Sequence, residues 1–275
     1  FIRRQGYERQ GVADMNTIKA VMRKDLSVSR KTVAINAAVY ILILALVFLF
    51  RFAYIYGNLA DPSVFENGEE DQLLNITYMD MLLPPLLSLV FSMTASWYIL
   101  SSLESDFRCG WFSVVFASGG SGHGICTAKH IESVLAMLLS MAVNFAVSTV
   151  YYSFFPRGYS AEFVLLGTLV IPFCVCVFIF LSVTLTYALK KPDVVLTLIL
   201  GFAAVYAMLF MPKIMEVLEN ASVNSLEAIE SFANTVSENI SMITAVSAAA
   251  FVIVGAVTYF VGAVLLKRRE KLCGA

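Results

Sequence analysis

The sequence predicts an all-α, polytopic membrane protein with six transmembrane helices and both termini cytoplasmic. Three observations predict it. Of 275 residues, 59% are hydrophobic and 14% are charged, whereas a soluble domain carries about 25% charged residues. Apolar runs of about 18 residues or more, long enough to cross a bilayer, recur along the chain. The Lys and Arg residues are also divided unevenly among the segments between those runs. One bundle accounts for residues 15–275, a single transmembrane domain with no room for a second folded unit.

Residues 1–14, FIRRQGYERQGVAD, are basic and aperiodic, and read as an extension without structure ahead of Met15. Asn16 or Thr17 can cap a short helix reaching about Ser29. Ile18, Val21, Met22 and Leu26 fall on one stripe of it, with Lys19, Arg23 and Lys24 elsewhere. That pattern predicts an amphipathic helix on the membrane surface, with a solvated tail as the alternative. The first span covers about residues 33–56 and is an uncleaved anchor, too long for a signal-peptide core. The second covers 81–103, with Pro84-Pro85 expected in its first turn, where proline is tolerated. The third (133–155) and fourth (163–189) are joined by a short turn, PRGYSAE. A tight hairpin at Lys190-Lys191-Pro192-Asp193 leads to the fifth, 194–211. Residues 213–240 are acidic with helical spacing, and predict one or two short helices on the membrane surface. The sixth span covers 241–266, where Ala248, Gly255 and Gly262 recur every seven positions and permit close helix packing.

Sidedness follows from the basic residues, which stay on the cytoplasmic side of short loops. With the amino terminus inside, 16 of the 19 Lys and Arg residues are cytoplasmic. Eight lie in residues 1–31, two in the central loop, two at 190–191 and four in the tail KRREKLCGA. Only Arg51, Arg157 and Lys213 face outward, against 12 acids on that side and 8 inside. The expectation is a multi-pass protein of the plasma membrane, bacterial in type, with a lipid bilayer and no nucleic acid as surroundings. No ionisable residue is expected deep in a span, because Arg51, Glu132, Glu162 and Asp193 fall at span ends. Ion-coupled carriers place such groups inside the bundle, so this pattern disfavours one. Asn36 and Asn144 are amides within spans, placed to bond between helices or to meet a substrate. Cys109, Cys126, Cys174, Cys176 and Cys273 give no paired framework; Cys174 and Cys176 point apart on a helix and read as small apolar filler. No metal site is expected.

The segment Ser102–Ile131 is too polar to cross a bilayer and too apolar for a plain linker. Its glycine cluster, Gly119-Gly120-Ser121-Gly122-His123-Gly124, is not a P-loop, since Ile125 follows the last glycine where Lys is needed. It is not a dinucleotide fingerprint either, which needs a βαβ unit. Gly119-Gly120-Ser121-Gly122 is similar to the GxSG of rhomboid intramembrane proteases, but His123 and His130 are the only histidines and none lies on the sixth span. The cluster reads as a flexible turn between two short helices, and the chain as no enzyme. Trp111, flanked by Glu104 and Asp106, reads either as a knob for a partner's socket or as an interfacial anchor.

Glu104 and Asp106 just after the second span are followed by Gly110-Trp111, then by seventeen residues to Lys129. This order resembles the permease subunits of type-2 ATP-binding-cassette exporters, and MNTIKAVMRKDL resembles their amino-terminal elbow helix. The six-span plan is similar too. The Ala117–His123 stretch departs from the family, whose members often carry Leu-Pro and a basic residue there. The resemblance implies that Glu104, Asp106, Gly110, Trp111 and Lys129 couple this chain to a separate ATPase subunit. It implies that ATP is bound and hydrolysed on that partner, with no cofactor in this chain, and that a second copy or a paralogue completes the path. The substrate is unidentified; an amphipathic peptide, lipid or drug suits an apolar path. The alternatives are a non-transporting membrane sensor or assembly scaffold, or an ion-coupled secondary carrier.

Overall fold

The computed structural model describes residues 2–59, 69–189 and 225–273. Every regular element among them is helical. The helices are α1 (Ile2–Leu59), α2 (Glu69–Arg108), the short α3 (Trp111–Ala117), α4 (Gly122–Phe154), α5 (Ala161–Leu165), α6 (Ile171–Leu189) and α7 (Ser225–Cys273). A 3-10 turn (Pro156–Gly158) precedes α5, and a π turn (Leu166–Val170) joins α5 to α6. Five segments among the described residues are long and apolar enough to cross a membrane: 14–53, 80–108, 122–154, 161–189 and 236–271. The chain is thus a multi-pass membrane protein, all-helical over the described residues. The predicted fifth span at 194–211 and the 190–193 hairpin lie outside the described residues.

Two boundaries differ from the sequence reading for one reason: no breaker stands where a break was expected. Residues 12–56 contain neither Gly nor Pro. Hence α1 runs unbroken from Ile2, through the stretch expected to lack structure and the expected surface helix, into the first span. The stripe of the expected surface helix turns inward. Thr17, Val21, Asp25 and Ser29, spaced by four and therefore stacked on one face, are all buried. Val21 joins the main apolar core with Leu103, Phe112, Phe116, Ile125 and Tyr187, while Leu26 stays exposed. Likewise 225–240 contains no Gly or Pro, and α7 continues through it into the last span. Ala233, Val236 and Ile240 pack on Phe163 and Val170.

The helix α2 starts at Glu69, so Pro84 and Pro85 sit in its interior rather than in its first turn. A proline removes an amide and frees the carbonyl four residues earlier. For Pro85 that carbonyl is Met81 O, and Tyr152 Oη of α4 donates to it at 3.3 Å. The π turn at 166–170 ends just before Pro172 of α6, another site where a helical amide is missing. Asn144 Nδ2 of α4 donates to Gly167 O in that turn at 3.3 Å and to Ser92 Oγ of α2 at 3.3 Å. Asn36 Nδ2 donates to Thr94 O at 3.2 Å, joining α1 to α2. Both amides within the spans therefore bond between helices.

The expected close packing of the last span has definite partners. A Cβ on Gly255 would lie 3.0 Å from the Phe180 ring, and one on Gly262 would lie 3.0 Å from Cys126 Sγ. At the acidic end of the bundle, Arg51 Nε donates to Asp80 Oδ1 at 2.5 Å and Tyr151 Oη donates to the same oxygen at 2.6 Å. This buried clamp ties α1, α2 and α4, and Phe48, Phe52, Phe154 and Phe155 pack as tilted and edge-on rings around it. Trp97 of α2 is 49% exposed on the outer surface of its span.

Candidate functional site

The candidate site is an ionic junction at the basic end of the bundle, where α1, α2 and α4 meet. Each helix supplies its charges from a face otherwise lined by small or apolar side chains. Lys24 and Asp25 come from α1, Ser102 and Asp106 from the last turns of α2, and Lys129 and Glu132 from the first turns of α4. Lys129 is completely buried. Its ammonium donates to Asp25 and, at 2.7 Å, to Ser102 Oγ. Lys24 bridges Asp106 and Asp25, the latter at 2.9 Å. Its ammonium also lies 4.1 Å above the Trp111 ring, a cation–π contact that carries the junction onto α3.

Taking two ammoniums and three carboxylates out of water costs several kcal/mol per ion, and that cost is offset only by close mutual contact. Here the five groups lie within one connected set. Among the described residues no cluster of His, Cys, Asp and Glu is arranged for a metal ion. The three carboxylates converge on lysines instead.

The glycine cluster is part of the same assembly. Gly119 adopts φ 83° and ends α3, and Gly110 adopts φ 68° between α2 and α3; both are left-handed positions that favour glycine. Ser121 caps α4, its Oγ accepting from Gly124 N at 2.9 Å. That hydroxyl also bonds Asp14 of α1, and Ser121 N donates to Thr17 Oγ1 at 3.3 Å. From the other side, Glu270 of α7 accepts from Gly122 N at 3.0 Å. A Cβ on Gly122 would come 2.8 Å from the Leu266 carbonyl carbon, and one on Gly124 2.9 Å from Thr17 Cβ. The cluster is therefore a packed junction of α1, α4 and α7 and the start of a long helix, not a flexible turn between two short ones. Its Ser121 is a capping residue. His123 meets Tyr259 Oη at 3.1 Å, and His130 stacks on Phe180.

The five residues singled out in the sequence divide into two sets. Asp106 and Lys129 are buried in the junction, and Trp111 is half-buried against it. Glu104 is only partly covered and pairs with Arg108 one turn on, and Gly110 is exposed beside it. The structure thus brings Asp106, Trp111 and Lys129 together through Lys24. It leaves Glu104 and Gly110 on an outer rim with Cys109 and with Val114, which is 64% exposed on α3. Sequence reasoning missed Lys24, Asp25 and Glu132 as members. The signal was the Asp25 spacing, four residues from Val21 and from Ser29, which places an acid on a face meant for burial. The predicted spans carry no ionisable residue in their middles, yet just outside them this end of the bundle buries charge between helices. Asp25 and Asp106 are buried between helices although they stand near segment ends in sequence.

In comparison with known proteins, no family model, no curated protein and no solved structure matches this chain.

Proposed function

We propose that the chain is the membrane-spanning permease subunit of a type-2 ATP-binding-cassette exporter, driven by a separate ATPase. One observation carries the reading: the segment 102–131 is tied to the amino-terminal helix and to α4 by buried ions rather than by loose contacts. α3 is held by Phe112 and Phe116 in the core and by the Trp111–Lys24 contact, so a partner that displaces α3 pulls on Lys24 and on the ions it pairs with, Asp25 and Asp106. Three packed helices do not follow such a displacement by gradual deformation, so the motion passes into α1, α2 and α4 as a unit.

The reading divides the labour among the five residues. Glu104, Gly110 and the neighbouring Val114 form the rim that meets the ATPase. Asp106, Trp111 and Lys129 relay its motion inward. In this arrangement both termini and the 102–131 segment are cytoplasmic, ATP stays on the partner, and a second permease copy or a paralogue completes the path in the plasma membrane.

The test is purification of tagged chain from its native membranes. A co-purifying ATPase whose hydrolysis is stimulated by the complex is the expected result. Val114→Asp should abolish co-purification, because a buried interface apolar residue replaced by a charge costs about 2 kcal/mol or more in binding. Trp111→Ala should keep the partner bound but lose the stimulation. Trp97→Ala, on the lipid-exposed side, should change neither. Transport that needs no ATP and follows a proton gradient would refute the reading and favour a carrier.

A further inference from the structure

A cavity of about 340 Å³ lies beside the ionic junction, between α1, α2 and α4. Its walls are mainly apolar and include Phe91, Ala95 and Ala136. Leu26, Leu135 and Leu139 stand at its rim and are exposed on the outer surface of the helices, so it opens sideways toward lipid. The volume suits a small amphipathic molecule.

Glu132 lines this cavity and is 3% exposed. Among the described residues neither of its carboxylate oxygens accepts a hydrogen bond. Lys129 lies 3.6 Å from Oε2, outside hydrogen-bond reach, and its ammonium is already engaged by Asp25 and Ser102. The junction sets three carboxylates (Asp25, Asp106, Glu132) against two ammoniums (Lys24, Lys129). With all five groups ionised one negative charge is in excess; Asp25 Oδ1 and Asp106 Oδ2 also lack a hydrogen-bond donor, but Glu132 is the carboxylate of the three that borders the cavity, and both of its oxygens are open. The amide at the cavity wall, Asn36, donates to Thr94 O.

We infer that this cavity is a binding site for an amphipathic amine, with the ammonium on Glu132 and the alkyl part against the α1, α2 and α4 walls. An ammonium supplies the missing counter-charge, and it supplies donors to two buried oxygens that otherwise have none. A neutral chain would fill the walls but leave the charge uncompensated. Entry from the bilayer follows from the exposed leucine rim. The site is independent of the export reading: binding is measured on this chain alone, with no ATPase present.

The experiment compares dodecylamine with dodecanol, using the purified full chain in phosphatidylcholine nanodiscs at neutral pH. Affinity is read from the ligand-dependent rise in unfolding temperature. The amine should bind at least about tenfold tighter than the alcohol, as expected when one charged hydrogen-bonded contact is gained. Glu132→Gln should bring the amine to the level of the alcohol. Ala95→Phe, which fills the cavity and leaves the junction intact, should weaken both ligands about tenfold or more. It also decides the location should Glu132→Gln fail to assemble. Equal affinity of amine and alcohol for the wild-type chain would overturn the proposal, showing a lipid groove whose carboxyl is neutral. Amine binding unchanged in Ala95→Phe would overturn it as well, showing partition into the bilayer.

Discussion

Lys129 shows how one residue can hold three helices. Its ammonium bonds Asp25 of α1 and Ser102 of α2 and lies 3.6 Å from Glu132 of its own helix, and none of its surface reaches solvent. Deleting such a charge is costly less for the attraction lost than for the carboxylates left buried without compensation. Lys129→Met should therefore lower stability by about 3–5 kcal/mol, seen as lost abundance and a lower unfolding midpoint in detergent. Adding Asp25→Asn and Glu132→Gln to Lys129→Met removes the orphaned charges, so the triple variant should regain much of the loss. Three additive losses would show instead that the groups act separately. Of these residues the sequence shows Lys129 and Asp106 as polar groups near apolar runs, but their pairing with Lys24 and Asp25 spans about a hundred positions. Local periodicity holds no information on which helix face meets which at that distance. Only the spacing of four through Thr17, Val21, Asp25 and Ser29 hints that an acid is to be buried.

At the level of elements, spans were legible because a bilayer demands a long apolar run, and the runs near 33–56, 81–103, 133–155, 163–189 and 241–266 coincide with long helices. Their ends were not legible, because polarity marks where a span leaves the membrane and not where its helix stops. Gly and Pro are the residues that interrupt a helix, and α1 over 12–56 and α7 over 225–240 meet neither, while the cap candidate Thr17 instead accepts from Ser121 N of another segment. Nor did Pro84-Pro85 mark a helix start, since a neighbouring helix repairs the break they cause. Tyr152 provides that repair by donating to Met81 O. Removing the hydroxyl leaves a buried carbonyl unsatisfied, at about 1–3 kcal/mol. Tyr152→Phe should lower the unfolding midpoint, and the loss should shrink in a Pro85→Ala background, where Met81 O regains an intrahelical donor. If the two substitutions add independently, the carbonyl has no need of Tyr152.

The molecule as a whole is polarised. Its basic end holds the ionic junction, the glycine-packed start of α4 and the last turn of α7, where Arg269 lies 4.8 Å from the Phe107 ring and donates to Tyr187 O at 3.3 Å. Its opposite end holds the Asp80 clamp and the acidic start of α2. Charge asymmetry of this kind orients a chain during insertion, because basic segments resist translocation while acidic ones have little effect. The orientation can be read with the native thiols. Cys109 is exposed on the rim next to Gly110, whereas Cys126 and Cys176 are buried and Cys174 faces outward from a span. A membrane-impermeant maleimide should leave Cys109 unlabelled in intact cells and label it once the cells are permeabilised. In a variant lacking the native cysteines, Ser225→Cys at the start of α7 should show the reverse, reacting in intact cells. Cys109 reacting from outside would turn the bundle over and place the 102–131 segment away from any cytoplasmic ATPase. The ionic junction and the cavity beside it would stand, but the relay proposed for them would lose its engine.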